Sequence, residues 1–203
     1  MRFRTFLCAV VLGLACSDML LYRSGANYFP LFPGGKWRYL LDMDTVYVEV
    51  DTLPATIADK NCIRVYRNFA PEYYLASPSE IRKLVVSAIS RPGGEDTVEF
   101  RFGLLYRLPF ILGDRFQDHF DTILTWGPDT VQFVHSLDVR VAGIDSVQVP
   151  AGTFYECYRL EFTETVVKPE TVSTQWVEWL APEVGVVQRQ SGTEKELLIG
   201  YRR

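Results

Sequence analysis

The chain has 203 residues, 48% of them hydrophobic and 14% aromatic, with 21 Lys and Arg against 25 Asp and Glu. That length and apolar content suit one packed domain and exclude a disordered polymer. A formal net charge of −4, with no run of Lys or Arg, lacks the basic footprint of a nucleic-acid binder, so nucleic acid is not an expected partner.

The chain begins MRFRTFLCAVVLGLAC. Arg2 and Arg4 precede an apolar run over 6–14, and the small residue Ala15 precedes Cys16. This is the build of a secretory signal peptide over 1–15, too short for a permanent membrane span. The order Leu12-Gly13-Leu14-Ala15-Cys16 resembles a bacterial lipobox. That resemblance implies acylation of Cys16, attachment to the membrane through the lipid, and a tether over 16–28. Cleavage nearby without lipid, and an uncleaved anchor, stay open as alternatives. Ser17 after Cys16 favours the outer membrane, by resemblance to the sorting rule of enteric bacteria. The expected location is the periplasmic face of the cell envelope.

The body, 29–203, reads as β almost throughout. "PLFPGGKW" at 30–37 supplies a proline that fixes an extended approach, a glycine that permits positive φ, and Trp37 as an anchor driven into the core. After a turn at 42–44, "TVYVEV" at 45–50 is rich in β-branched and aromatic residues. "NCIRV" follows at 61–65. "SPSEIRKLVVSAI" at 77–89 opens like a helical capping box, with Ser77 as cap and Glu80 three residues later. Val85, Val86 and Ile89 lose rotamer freedom in a helix, however, and both neighbouring segments read as strands, so a strand is predicted. A turn at 91–96 leads to the strand-like "TVEFRF" at 97–102.

"PFILGDRF" at 109–116 then repeats the entry motif, with Phe116 in the place of Trp37. After a turn at 126–129, "VQFVHSLDVRV" at 131–141 puts Val131, Phe133, His135, Leu137, Val139 and Val141 on one face. That period of two marks a half-buried antiparallel strand. "ECYRL" at 156–160 repeats "NCIRV", with Pro150-Ala151 ahead of it as Pro54-Ala55 stands ahead of the first. A duplicated unit, 30–65 and 109–160, is the expectation. Turns at 149–152 and 191–194 complete the pattern. The predicted fold is all-β: a curved antiparallel sheet, half-barrel or sandwich, of about ten to twelve strands.

Candidate chemistry is sparse. His119 lies among Asp114, Asp118 and Asp121, but in a strand Asp118 points away from His119 and Asp121, so no metal set converges. Asp42 and Asp44 read as a hairpin turn, and His135 as a residue of an apolar face. Glu161, Glu164 and Glu178 have no fixed separation that would make an acid–base pair. There is no nucleophile elbow, Cys-x-x-Cys pair or phosphate loop. No metal, no cofactor and no enzymatic activity are expected. Of the body's cysteines, Cys62 and Cys157 form either a disulfide, worth about 4 to 5 kcal/mol in the chain-entropy model, or two separate buried thiols. The aromatic residues Tyr155, Tyr158, Phe162, Trp176 and Trp179 divide between two faces; one set forms core, and the other either lines an apolar groove or is covered.

At "YFPLFPGGKWRY", "VQVPAGTFYECYRL" and "WVEWLAPEVGVVQRQ" the chain resembles a family of bacterial envelope lipoproteins without an established activity. The matching positions are Pro30, Gly35, Trp37 and Tyr39, then 149–154 with Cys157, then Trp179, Ala181, Pro182, Gly185 and Val187. Glu183 stands where the family commonly has Gly. The resemblance implies a β-rich, half-barrel periplasmic domain. The expected function is therefore a non-enzymatic, lipid-anchored envelope protein for binding or assembly, with a hydrophobic ligand or an envelope protein as partner. The alternative is a periplasmic carrier of lipid or acyl chains in a half-barrel groove.

Overall fold

The computed structural model describes residues 27–89, 97–126, 129–168 and 170–203. The expected signal peptide, Cys16, nearly all of the expected tether and the turn expected at 91–96 lie outside the described residues. The first strands are β1 (Lys36–Leu41), β2 (Asp44–Val50), β3 (Ala55–Ile57), β4 (Lys60–Arg67), β5 (Ala70–Ala76), β6 (Glu80–Ile89) and β7 (Thr97–Arg107). They are followed by β8 (Arg115–Trp126), β9 (Asp129–Val149), β10 (Gly152–Lys168), β11 (Glu170–Ala181), β12 (Gly185–Ser191) and β13 (Glu194–Arg202).

These strands form one antiparallel sheet of 13, in the order β7-β6-β5-β4-β2-β1-β13-β12-β11-β10-β9-β8, with β3 paired to β4 off the path. The sheet curls into a nearly closed barrel. Each half of the chain is a six-strand meander, and the first strand of one half pairs with the last strand of the other, β1 with β13. The corresponding pair, β7 and β8, forms the two sheet edges. They meet across a seam joined by side chains: the Arg101 guanidinium lies 4.6 Å from the Phe120 ring and that of Arg107 5.7 Å from Phe116, while Thr122 Oγ1 donates to Glu99. Gly103 admits this approach, because a Cβ there would stand 2.9 Å from Asp118 Oδ2.

The alternation read from the sequence sets the inward face. On β9, Phe133, His135, Leu137, Val139 and Val141 are all buried. The segment at 77–89 forms a strand rather than a helix: Ser77 Oγ accepts from the Glu80 amide, and the Ser77 amide donates to the Glu80 carbonyl, so the cap-like motif closes a turn ahead of β6. Trp37 and Phe116 are both buried anchors.

The two entry segments close alike. Gly34 N–H donates to Val50 O, Gly35 N–H to Phe32 O, and Val50 N–H to Gly35 O. Seventy-nine positions on, Gly113 N–H donates to Val141 O, Asp114 N–H to Ile111 O, and Val141 N–H to Asp114 O. Gly34 and Gly113 hold φ of +80° and +90°. The likeness extends to an ion pair: Arg64 of β4 binds Asp51, and Arg159 of β10 binds Asp145.

The stretch at 27–35 stoppers one end of the barrel. Tyr28, which the sequence reading leaves in the tether, is buried instead, edge-on to Phe110 and Tyr158, because aromatic rings around it replace water. Phe29 packs on Tyr74 and Tyr106, and the Trp37 indole N–H donates to Val184 O at 2.8 Å.

Two glycine substitutions separate space from backbone strain. A Cβ on Gly35 would stand 2.7 Å from both Phe32 and Trp37, whereas one on Gly113 meets nothing within 4 Å and is disfavoured only by its φ. Urea unfolding is expected to give a loss of about 2 to 3 kcal/mol for Gly35→Ala, from overpacking. Gly113→Ala should lose about 1 to 2 kcal/mol, from the left-handed backbone.

Candidate functional site

Beneath the stopper the barrel holds a half-open cavity of about 410 Å³. Its apolar walls include Phe29, Leu31, Trp37, Val50, Val65, Leu104, Leu137 and Val184. Around them runs a belt of ionisable side chains: Arg67, Glu72, Lys83, His135, Glu164, Glu178, Arg189 and Glu196. They come from β4, β5, β6, β9, β10, β11, β12 and β13, so nearly the whole circumference contributes.

Glu178 anchors the belt. Its side chain is 1% exposed. Oε1 accepts from Arg189 Nε at 2.8 Å, Arg189 Nη2 at 2.6 Å and Trp176 Nε1 at 3.1 Å, and Oε2 accepts from the Tyr106 hydroxyl at 2.5 Å. A buried carboxylate is tolerated only when its lone pairs are met in this way. The attraction of Glu178 raises the Arg189 pKa, so the guanidinium keeps its charge inside the barrel. Burial, then the Glu178 charge, pushes the Tyr106 hydroxyl well above its usual value, fixing it as a donor.

The remaining cations also meet carboxylates, and Glu196 is shared with Arg189 Nη1 at 3.9 Å. Arg67 binds Glu196, and Lys83 binds Glu72 at 2.7 Å. Burial raises the Glu72 pKa, but Lys83 and the Tyr74 hydroxyl outweigh it and hold the carboxyl below its ordinary value. Among the described residues no Lys or Arg forms an ion pair with Glu164, which meets His135 Nε2 at 2.8 Å instead. That hydrogen bond, more than any opposing effect of burial, keeps Glu164 below the usual carboxylate range. The His135 ring stacks on Phe120, 5.2 Å between centroids.

The five aromatic residues proposed from sequence for a groove separate. Tyr158 and Phe162 are buried core residues, and Tyr155 is 68% exposed. Trp179 donates its indole N–H to Asp145 at 2.8 Å, among the outward Arg159–Asp145 pair. Trp176, stacked on Phe162 at 4.8 Å, lines the cavity. Period two explains the split, since Trp176 is in phase with Glu178 and Leu180 whereas Trp179 is not.

The Cys62–Cys157 bridge is not formed. Both thiols are free and buried, and each sits by a local carbonyl, Ala55 O at 3.4 Å and Tyr155 O at 3.9 Å. Burial pushes Cys157 up to about 12 and raises Cys62 as well, which makes both poor nucleophiles. His119 and Asp121 are exposed while Asp118 turns inward. Asp42 lies in the β1–β2 hairpin turn and Asp44 follows it as the first residue of β2.

Residues 113–203 match a family model described as DUF3108-like. That span contains the "VPAGTF", Cys157 and "APEVG" positions. No curated protein matches the chain. Solved structures that share the fold include two bacterial proteins. One is a candidate lipoprotein from Parabacteroides distasonis, 13% identical, covering 87% of this chain and 99% of its own, with a TM-score of 0.51. The other is a candidate exported protein with a YmcC-like fold from Bacteroides fragilis, 12% identical, covering 88% and 100%, with a TM-score of 0.50.

Removing the anchor of the belt should be costly, and removing both partners much less so. Glu178→Leu leaves the Tyr106 hydroxyl and the Trp176 indole without their acceptor and leaves Arg189 only Glu196, at 3.9 Å. Denaturant unfolding is expected to give a loss of about 3 kcal/mol, the low end for breaking a buried pair, because Arg189 keeps 38% of its side chain accessible. The double variant Glu178→Leu with Arg189→Met should recover at least half of that loss.

Proposed function

We propose that the protein is a non-enzymatic binding protein of the bacterial cell envelope, exported and held to the membrane by a lipid on Cys16, and that its barrel receives a small amphiphile. The observation that carries this reading is the cavity of about 410 Å³, walled by aliphatic and aromatic side chains and belted by fixed charges. Ligand sites typically measure about 300 to 1,000 Å³ and combine mostly apolar walls with a few placed polar groups. The stopper at 27–35 fills one end of the barrel and leaves this space, which favours carriage of a ligand over a purely structural role for the sheet.

Several observations support binding rather than catalysis. The Glu178 oxygens are committed to Arg189, Trp176 and Tyr106. Among the described residues, no hydroxyl or thiol is hydrogen-bonded to His135, whose contacts are Glu164 and the Phe120 ring. Export and the anchor rest on the leader and the order of residues at 12–16; the two neighbours in fold, described as a candidate lipoprotein and a candidate exported protein, agree with that reading.

Trp37 and Trp176 line the cavity and serve as built-in probes. Titration with ten-carbon amphiphiles should change tryptophan emission with one ligand per chain. Leu104→Trp, which places a larger ring in the cavity wall, should weaken binding at least tenfold while the far-ultraviolet spectrum stays that of a sheet. Saturable binding that Leu104→Trp leaves untouched would place the ligand elsewhere and refute the proposal. For the anchor, Cys16→Ser should move the protein from the membrane fraction to the soluble fraction of cells.

A further inference from the structure

The chamber's charges are balanced everywhere except at one end. Arg67, Lys83 and Arg189 each hold a carboxylate, and the surplus one, Glu164, is held by His135. An ionised carboxylate only accepts, so Nε2 of the imidazole donates to Glu164. In the neutral ring this leaves Nδ1 as a bare acceptor. That atom is buried and has no hydrogen-bond partner among the described residues, although His135 is 3% exposed and lines the cavity. A second acceptor on the same inward face, Asp118 Oδ2, is also buried without a partner. It lies over Gly103, itself a residue of the cavity wall. Asp118 and His135 stand on paired strands, opposite Leu137 and Phe120 respectively.

Leaving a buried polar atom unpaired is unfavourable, and two acceptors beside a surplus carboxylate call for donors. A carboxylate head would bring a third acceptor and a further negative charge to this end of the chamber, while every cation of the belt is already engaged. We infer that this end is the head-group subsite of the chamber, and that it takes an amphiphile bearing a hydrogen-bond donor, a hydroxyl or an ammonium, which donates to His135 Nδ1. The inference rests on the binding function proposed above and adds the chemistry of the head. Glu164 fixes the tautomer and Phe120 fixes the ring plane, so the acceptor is held in place before the ligand arrives.

The test uses the full chain and three probes with the same chain length: 1-decanol, decylamine and decanoate. Decanol or decylamine should bind at least tenfold more tightly than decanoate, and whichever is tighter identifies a neutral or a cationic donor. Nitrogen-15 NMR of histidine should show the His135 Nδ1 signal moving from that of a free acceptor to that of a hydrogen-bonded one when the preferred probe binds. His135→Phe keeps a ring to stack on Phe120 and removes the acceptor, and should reduce the preference over decanoate to about threefold or less. Decanoate binding as tightly as the others, or an Nδ1 signal that bound decanol or decylamine leaves unmoved, as it would with a buried water as partner, overturns the subsite while leaving the chamber's binding function standing. Binding of none of the three overturns both.

Discussion

The interior of this barrel depends on one carboxylate. Glu178 sits 1% exposed in the middle of β11, and its two oxygens take hydrogen bonds from an arginine, an indole and a phenol. A charge so placed would cost several kcal/mol if it were unpaired. Because it is paired, it ties β7 through Tyr106 and β12 through Arg189 to β11, across the inside of the sheet. Side chains bound to one another in this way cannot collapse into the space between them, so the network that stabilises the belt also leaves the chamber open.

The meander supplies the frame for that network. Two six-strand halves are joined by a full ladder at β1 and β13 and by side chains at β7 and β8. The seam is therefore held by Arg101, Arg107 and Thr122 rather than by backbone bonds. It is also where Asp118 is brought against Gly103, close to the end of the chamber that carries unmatched acceptors. At the other end the stopper contributes Tyr28 and Phe29 to the aromatic core. An apolar floor, a charged belt and an acceptor-rich end thus follow from how the halves meet, and the proposed amphiphile would match that polarity along its length.

Much of the fold was legible because a strand's alternation survives in its residues. On β9 the period of two placed Phe133, His135, Leu137, Val139 and Val141 together on the inner face, and the strand at 77–89 followed from its β-branched residues despite a cap-like start. The belt was not read, because a charged residue in a strand is ordinarily assigned to the solvent side. The signal was present in the phase: Glu178 shares a face with Trp176 and Leu180, Lys83 with Ile81 and Val85, and Glu164 with Phe162 and Val166. Arg189 was beyond that rule. A register shift between the pairs Leu180–Val186 and Trp179–Gln188 changes the inward phase of β12, so Val186 and Arg189 both face the chamber. The division of the groove aromatics between two faces was legible too, but alternation alone does not say which face is inward; the structure sends Trp176 inward and Trp179 outward.

Native mass spectrometry of the protein released gently from the cell envelope measures the central point most directly, because it asks whether the chamber is occupied when the protein does its work. The account predicts a discrete added mass, one small amphiphile per chain, that is lost when collisions unfold the barrel. A polypeptide mass with no noncovalent addition would contradict it.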